Sequence, residues 1–162
     1  MPVVIDGNNL LHAARKRDST QLLIGPSMLC DKVGSWAHRC GERVRLVFDG
    51  PTPSTARASQ IGHPAIEVLF SGKGVSADAV VIGIVERDSA ARRLLVVSSD
   101  RAIQRAAKRR RARVIDADDF WVALLRKLER PEGRPRPREP EEKEAGLGPN
   151  AAAEWLTEFG LE

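Results

Sequence analysis

The chain has 162 residues, 42% of them hydrophobic, and a formal net charge of +4. That is enough for one domain with a real core, and it sets disordered and collagen-like classes aside. No stretch is apolar over a membrane-spanning length and the N-terminus enters a strand at once, so a soluble cytoplasmic protein without a membrane partner is expected.

Residues 2–6 are a short run rich in Val and Ile and predict a first strand. Asn8 and Asn9 are placed to cap a helix over about 9–17. A second helix, about 27–41, carries Met28, Leu29, Val33, Trp36, Ala37 and Cys40 at helical spacing, and Gly41 ends it. Cys30 and Cys40 on that helix lie roughly 15 Å apart along its axis. A disulfide needs Cα atoms within about 7 Å, so free thiols in a reducing compartment are expected. Strand two is 44–48, and a loop containing Pro51, Pro53, Ser54 and Thr55 follows. Strand three is 65–70. Helix three, about 76–88, has Ser76 as its natural N-cap. Strand four (93–98), helix four (about 101–110), strand five (113–115) and helix five (about 117–129) complete the alternation. Strands apolar on both faces and alternating with helices predict a three-layer α/β/α sandwich around a parallel sheet of about five strands.

The composition changes after Glu129. Residues 130–148 hold four prolines and no aromatic residue, and they predict a flexible linker. A C-terminal amphipathic helix is expected within 149–162. Asn150 is its cap, and Trp155 and Phe159 share one face. It would dock on its own domain or on a protein partner.

Aspartate recurs where strands end. Val3-Val4-Ile5 runs into Asp6, Leu46-Val47-Phe48 into Asp49, and Leu95-Val96-Val97 reaches Asp100 after two serines. Asp78 follows Ile66–Phe70 across a short Gly/Ser loop. In a parallel sheet all strands end at one edge, and ligands bind there. Acids gathered at that edge repel one another unless a cation joins them, so Asp6, Asp49, Asp78 and Asp100 read as a Mg²⁺ or Mn²⁺ site. Each alone also fits a turn or helix cap. Gly7 allows a sharp exit from the first strand, and Asn8 can present a neutral oxygen to a water or a phosphate. Asp116 and Asp118 rank lower, because Asp118 is placed to cap the last helix. Hydrolysis of a phosphodiester at such a site needs no histidine. His12 and His38 read as surface or structural residues, and His63 lies in a loop expected to open toward the cleft.

Two competing motifs fail on context. Gly72-Lys73-Gly74-Val75-Ser76-Ala77 fits a dinucleotide fingerprint, but two strands precede it where the fingerprint follows the first. A haloacid-dehalogenase-type phosphatase needs Asp-x-Asp after strand one, and this chain has Asp6 and Asn8.

The run Val3–Leu11, the Val47-Phe48-Asp49-Gly50 turn, Ser76-Ala77-Asp78 and Ser98-Ser99-Asp100-Arg101 resemble the NYN domain. The likeness is closest to its YacP-like branch within the PIN-like nuclease superfamily. The ending Glu154–Gly160 is similar to the tail of that branch. The resemblance covers about 1–129 plus the tail. It implies a PIN-like fold and a metal-dependent endoribonuclease, with Asp6, Asp78 and Asp100 as metal-binding acids, Asn8 beside them and Asp49 as a fourth member. It also implies RNA as the partner, including mRNA on the ribosome. The competing class is a non-catalytic RNA- or ribosome-binding module of the same fold. Arg57, Lys73 and Arg101 are the expected phosphate contacts, because their loops open at the acidic edge. The dense run Arg105–Arg113 sits at the far end of helix four, where it either complements the helix dipole or makes a remote contact with long RNA.

Overall fold

The computed structural model describes residues 1–17, 24–54 and 61–130. Arg57, the expected linker beyond Arg130 and the expected C-terminal helix lie outside the described residues. Strands β1 (Pro2–Asp6), β2 (Arg43–Phe48), β3 (Ile66–Phe70), β4 (Leu95–Val97) and β5 (Arg113–Ile115) form one sheet, in the order β3-β2-β1-β4-β5. Every pairing is parallel. The helices are α1 (Gly7–Arg17), α2 (Pro26–Cys40), α3 (Ala77–Arg87), α4 (Arg101–Arg109) and α5 (Ala117–Glu129).

Alternate residues along each strand face opposite layers, so the sheet feeds two cores. Val3, Ile5, Leu46 and Val97 pack with Leu10 of α1, Val33 and Trp36 of α2, and Phe120 of α5. Val4, Val47 and Val96 pack with Val81 and Val85 of α3 and Ile103 of α4. The expected three-layer sandwich is therefore present, with α1, α2 and α5 on one face and α3 and α4 on the other. Trp36 and Trp121 are core residues, and Trp36 meets Phe120 edge-on at 5.0 Å between centroids. The far half of β2 and β3 is less covered than the sequence suggests. Arg45 and Glu67 lie exposed there and pair at 2.8 Å.

Most element boundaries fall within two residues of expectation, and the exceptions have local causes. Helix α1 begins at Gly7, and Asn8 and Asn9 do not cap it. The Asp6 carboxylate does so instead, accepting from the Asn9 amide at 3.0 Å. Helix α5 is capped by Asp116, whose side chain accepts from the Asp118 amide at 3.0 Å, and not by Asp118. Asp118 faces Arg17 at 3.6 Å. A short 3₁₀ turn, Ala91–Arg93, takes up the start expected for strand four. His63 precedes β3, so it lies at the opposite edge from the acids. Its ring fills the space beside Gly34 of α2, and its Nδ1 accepts from the Ala65 amide. Both cysteines are free, and burial pushes the Cys30 thiol up to about 12 and the Cys40 thiol to about 11. No helix of the described residues is long and apolar enough to cross a membrane.

Candidate active site

The strand order reverses at β1. The chain steps outward to β2 and β3, then returns to place β4 on the other side of β1. Helices that leave such neighbouring strands for opposite faces open a crevice at the strand ends. Asp6 is the last residue of β1, and Asp100 follows β4 as the N-cap of α4. The sequence expectation that these two acids share a cleft follows from this topology.

Asp6 is 1% exposed and held on every side. Its Oδ1 accepts from the Asn9 amide. Its Oδ2 accepts from Asn9 Nδ2 at 2.5 Å and from the Ser98 hydroxyl at 3.2 Å. Ser98 is fully buried, and its Oγ also accepts the Asp100 amide at 3.0 Å. One hydroxyl thus fixes the end of β1 against the start of α4. Ser98 and Asn9 are site residues that sequence reasoning missed. The available signal was a small hydroxyl directly after a buried strand, two residues before an acid. Asp100 Oδ1 accepts the Ala102 and Ile103 amides at 2.7 and 3.0 Å, and among the described residues no such bond engages its Oδ2.

The second wall comes from β2 and β3. Asp49 Oδ1 accepts the Ala77 amide at 2.5 Å, and its Oδ2 accepts from Asn8 Nδ2. Asp49 therefore links the start of α1 to the start of α3. Gly50 and Gly72 bridge the two exit loops, with the Gly72 amide donating to the Gly50 carbonyl at 2.9 Å. The Gly50 amide donates to Ser71 Oγ at 3.0 Å. Both glycines have φ near +90°, a region that other residues rarely adopt. Ser76 caps α3 as expected, and Asp78 lies in its first turn.

Asp78 meets the other three acids. Burial pushes its carboxyl up from the usual range, and repulsion from Asp6, Asp100 and Asp49 adds to that. A hydrogen bond with Asp6 also favours its protonated form. The ion pairs seen among the described residues join Met1 to Glu42, Lys16 and Arg17 to Asp118, Arg45 to Glu67 and Arg109 to Glu86, and they leave all four acids out. Lys73 and Arg101 are exposed on the loops and helix start at this same edge.

The donor set suits a hard divalent cation: four carboxylates, one of them destabilised as an anion by burial and by the rest, with no ion-pair partner for any of them among the described residues. Among the described residues, however, no three acidic, His or Cys side chains are already drawn together as a closed cage. The hydrogen bonds above explain this, since Asp6, Asp49 and Asp100 each turn at least one oxygen to a protein donor.

The repulsion at Asp78 has a measurable consequence. A carboxyl raised in the folded state favours folding while neutral and loses that contribution as pH rises through its raised pKa. At neutral pH without metal, Asp78 therefore opposes folding. Asp78→Asn is expected to raise the thermal midpoint of metal-free protein at neutral pH. The gain should shrink toward pH 4 and in high salt. A lowered midpoint at neutral pH would contradict the crowding.

A family model described as the YacP-like NYN domain matches residues 3–153. The fold is similar to two crystal structures of Rae1 (YacP) from Bacillus subtilis, one of them a point mutant. They have 20% and 19% identity and TM-scores of 0.58 and 0.55. Each alignment covers 80% of this chain, and 79% and 78% of the respective structures. No curated protein matches the chain. With the match running through the sheet, the acidic edge and beyond, the chain belongs to the YacP-like NYN domain family.

Proposed function

We propose that this chain is a metal-dependent endoribonuclease that hydrolyses RNA phosphodiester bonds at the acidic edge. The observation that supports this most is the crowding of Asp78 by Asp6, Asp100 and Asp49, none of which has an ion-pair partner among the described residues. Asp6, Asp78 and Asp100 would hold Mg²⁺ or Mn²⁺, with Asp49 at the margin. When bound, the cation supplies positive charge for the phosphate and makes water more acidic.

The chain's own residues do the rest. Asn9 and Ser98 fix the Asp6 carboxylate, so the site does not reorganise during the reaction. Asn8 is tethered to Asp49 through its amide nitrogen, which leaves its side-chain oxygen to accept from a water and orient it. Lys73 and Arg101, exposed at this edge, would approach the phosphates, and Arg57 is a third candidate from the sequence alone. Water oxygen bonds to phosphorus in line as the opposite P–O bond breaks, and that leaving oxygen takes up a proton. The sequence has no tyrosine, and both tryptophans among the described residues, Trp36 and Trp121, are in the core, so a weak sequence preference is expected of this part of the chain. Mg²⁺ and Mn²⁺ both suit the all-oxygen donors. The free thiols fit a cytoplasmic setting, and the family resemblance alone points to mRNA on the ribosome.

The open ligand set gives weight to a second reading, an RNA-binding module that cuts nothing. Two measurements separate them. Mn²⁺ titration should raise the thermal midpoint, because a ligand that binds only the folded state stabilises it. End-labelled RNA incubated with Mn²⁺ should then give discrete internal cuts, abolished by chelation. Midpoint stabilisation and RNA binding without any cut would replace the nuclease with the module.

A further inference from the structure

The edge opposite the acids carries a feature that the proposed cleavage does not use. A cavity of about 420 Å³ lies between the 3₁₀ turn before β4 and the end of α4. Arg92, Arg93, Arg109, Arg110 and Arg111 line it, and every one is exposed. Two are engaged locally: Arg109 faces Glu86 at 3.7 Å, and Arg110 donates to the Asp88 carbonyl at 2.8 Å. The Asp88 carboxylate accepts the Ala90 amide at 2.7 Å. Among the described residues, Arg92, Arg93 and Arg111 have no acidic partner. The adjoining groove is of mixed charge, lined by Arg43 and Arg45 together with Glu67 and Asp88, so the excess of positive charge belongs to the cavity itself.

Arg111 makes a second, independent case. It stands just past the end of α4 with φ of +58°, in the left-handed region. The Ala112 amide donates to the Ala107 carbonyl at 2.9 Å and the Arg111 amide to the Lys108 carbonyl at 3.0 Å. This pair of bonds is a Schellman helix ending, whose left-handed position normally goes to glycine. An arginine here is held against its backbone preference, which directs attention to what its side chain does.

We propose that this cavity is a second phosphate-binding site, which grips the RNA backbone at a distance from the scissile bond. Five guanidinium groups and no lysine suit phosphate, because the planar fork matches two phosphate oxygens at once. Helix α4 separates Asp100 from the cavity by nine residues, about 14 Å. RNA long enough to follow the surface from one edge to the other meets both, and a fragment of about four nucleotides at the acids does not. The proposal rests on RNA as the ligand, as proposed above, but not on its being cut.

The test is a variant carrying Arg92→Ala, Arg93→Ala and Arg111→Gly. Its binding to fluorescein-labelled RNA of about 30 nucleotides is measured by anisotropy with chelator present, so that no cleavage occurs. Affinity should fall about tenfold or more, and the salt dependence of log K should flatten by about 2 for three lost phosphate contacts. Metal-dependent cutting of a tetranucleotide should proceed at the wild-type rate. Arg111→Gly alone keeps or raises the thermal midpoint, which separates lost binding from lost folding. Unchanged affinity and salt slope for long RNA would overturn the proposal. So would polyglutamate displacing the arginine-dependent binding as well as RNA does, since the partner would then be an acidic protein. If wild type binds long RNA through these arginines but never cuts with Mn²⁺, the cleavage reading fails and this one stands.

Discussion

Asp100→Asn is expected to abolish Mn²⁺-dependent RNA cleavage while leaving the fold in place. Asp100 serves α4 through Oδ1 alone, which accepts the Ala102 and Ile103 amides. Asparagine offers the same oxygen and caps helices as well as aspartate does. What it removes is the negative charge and the second carboxylate oxygen. Changing an outer-shell partner of a metal ligand already costs about 10–100-fold. Losing a ligand should cost at least about 100-fold, read as the rate of internal cuts in end-labelled RNA. The thermal midpoint without metal should hold or rise, because one of the charges that crowd Asp78 is gone, and its further rise with Mn²⁺ should weaken. Asp6→Asn should lose cleavage as well, but less cleanly. Asp6 accepts three hydrogen bonds while buried, so an amide nitrogen there would face the Asn9 or Ser98 donor. A mismatched buried donor costs about 1–3 kcal/mol. If Asp100→Asn cuts at the wild-type rate, the assignment of the acids is wrong.

Gly7→Ala should both destabilise the protein and slow cleavage. A Cβ at residue 7 would lie 2.7 Å from the Val47 carbonyl oxygen and 2.7 Å from the Phe48 ring. The oxygen belongs to a backbone paired on both sides in the sheet, so it cannot step away. Alanine gains about 1 kcal/mol over glycine in a helix, against about 1–3 kcal/mol for overpacking a tight site. The clash with backbone puts Gly7 at the upper end of that range, so the net loss is about 1–2 kcal/mol, or roughly 2–8 °C in midpoint. Displacing α1 also shifts Asp6 and Asn8 together. Gly83→Ala is the control, because there the nearest atom is the Arg87 guanidinium at 3.6 Å, the end of a flexible side chain. That variant should gain about 0.5–1 kcal/mol. Urea unfolding of the pair checks the sign of each. Equal stabilisation of both would mean that Gly7 has room the geometry denies it.

The strands and helices were legible in the sequence because each buried run ends in an acid, a serine or a glycine that suits the exit from that element. Convergence of Asp6, Asp78 and Asp100 was legible for the same reason, since parallel strands leave the sheet at one edge. What was not legible depends on backbone phase or on tertiary contact. Asp116 and Asp118 are both acidic and two residues apart, and only the way β5 leaves the sheet decides which one caps α5. Asp6 displaces Asn8 and Asn9 from capping because α1 starts with no intervening loop. Gly7 looked like a turn residue, yet it has no positive φ, and its role is close approach to β2. His63 was misplaced because the loop after β2 returns to the far edge before β3 begins. Nothing about an arginine announces a left-handed backbone, so Arg111 was legible as charge and not as conformation.

The bridge between Gly50 and Gly72 has a thermodynamic consequence. It ties the exit of β2 to the exit of β3, and Asp49 then holds the start of α3 through the Ala77 amide. Asp78 cannot swing outward to escape its neighbours without breaking that clasp. On the metal-site reading proposed above, the clasp holds Asp78 beside its acidic neighbours, and relief would come from an arriving cation more than from rearrangement. Any fragility of the metal-free protein and its affinity for the cation would then be one free energy measured from two ends. A substitution that loosens the clasp makes the first better and the second worse.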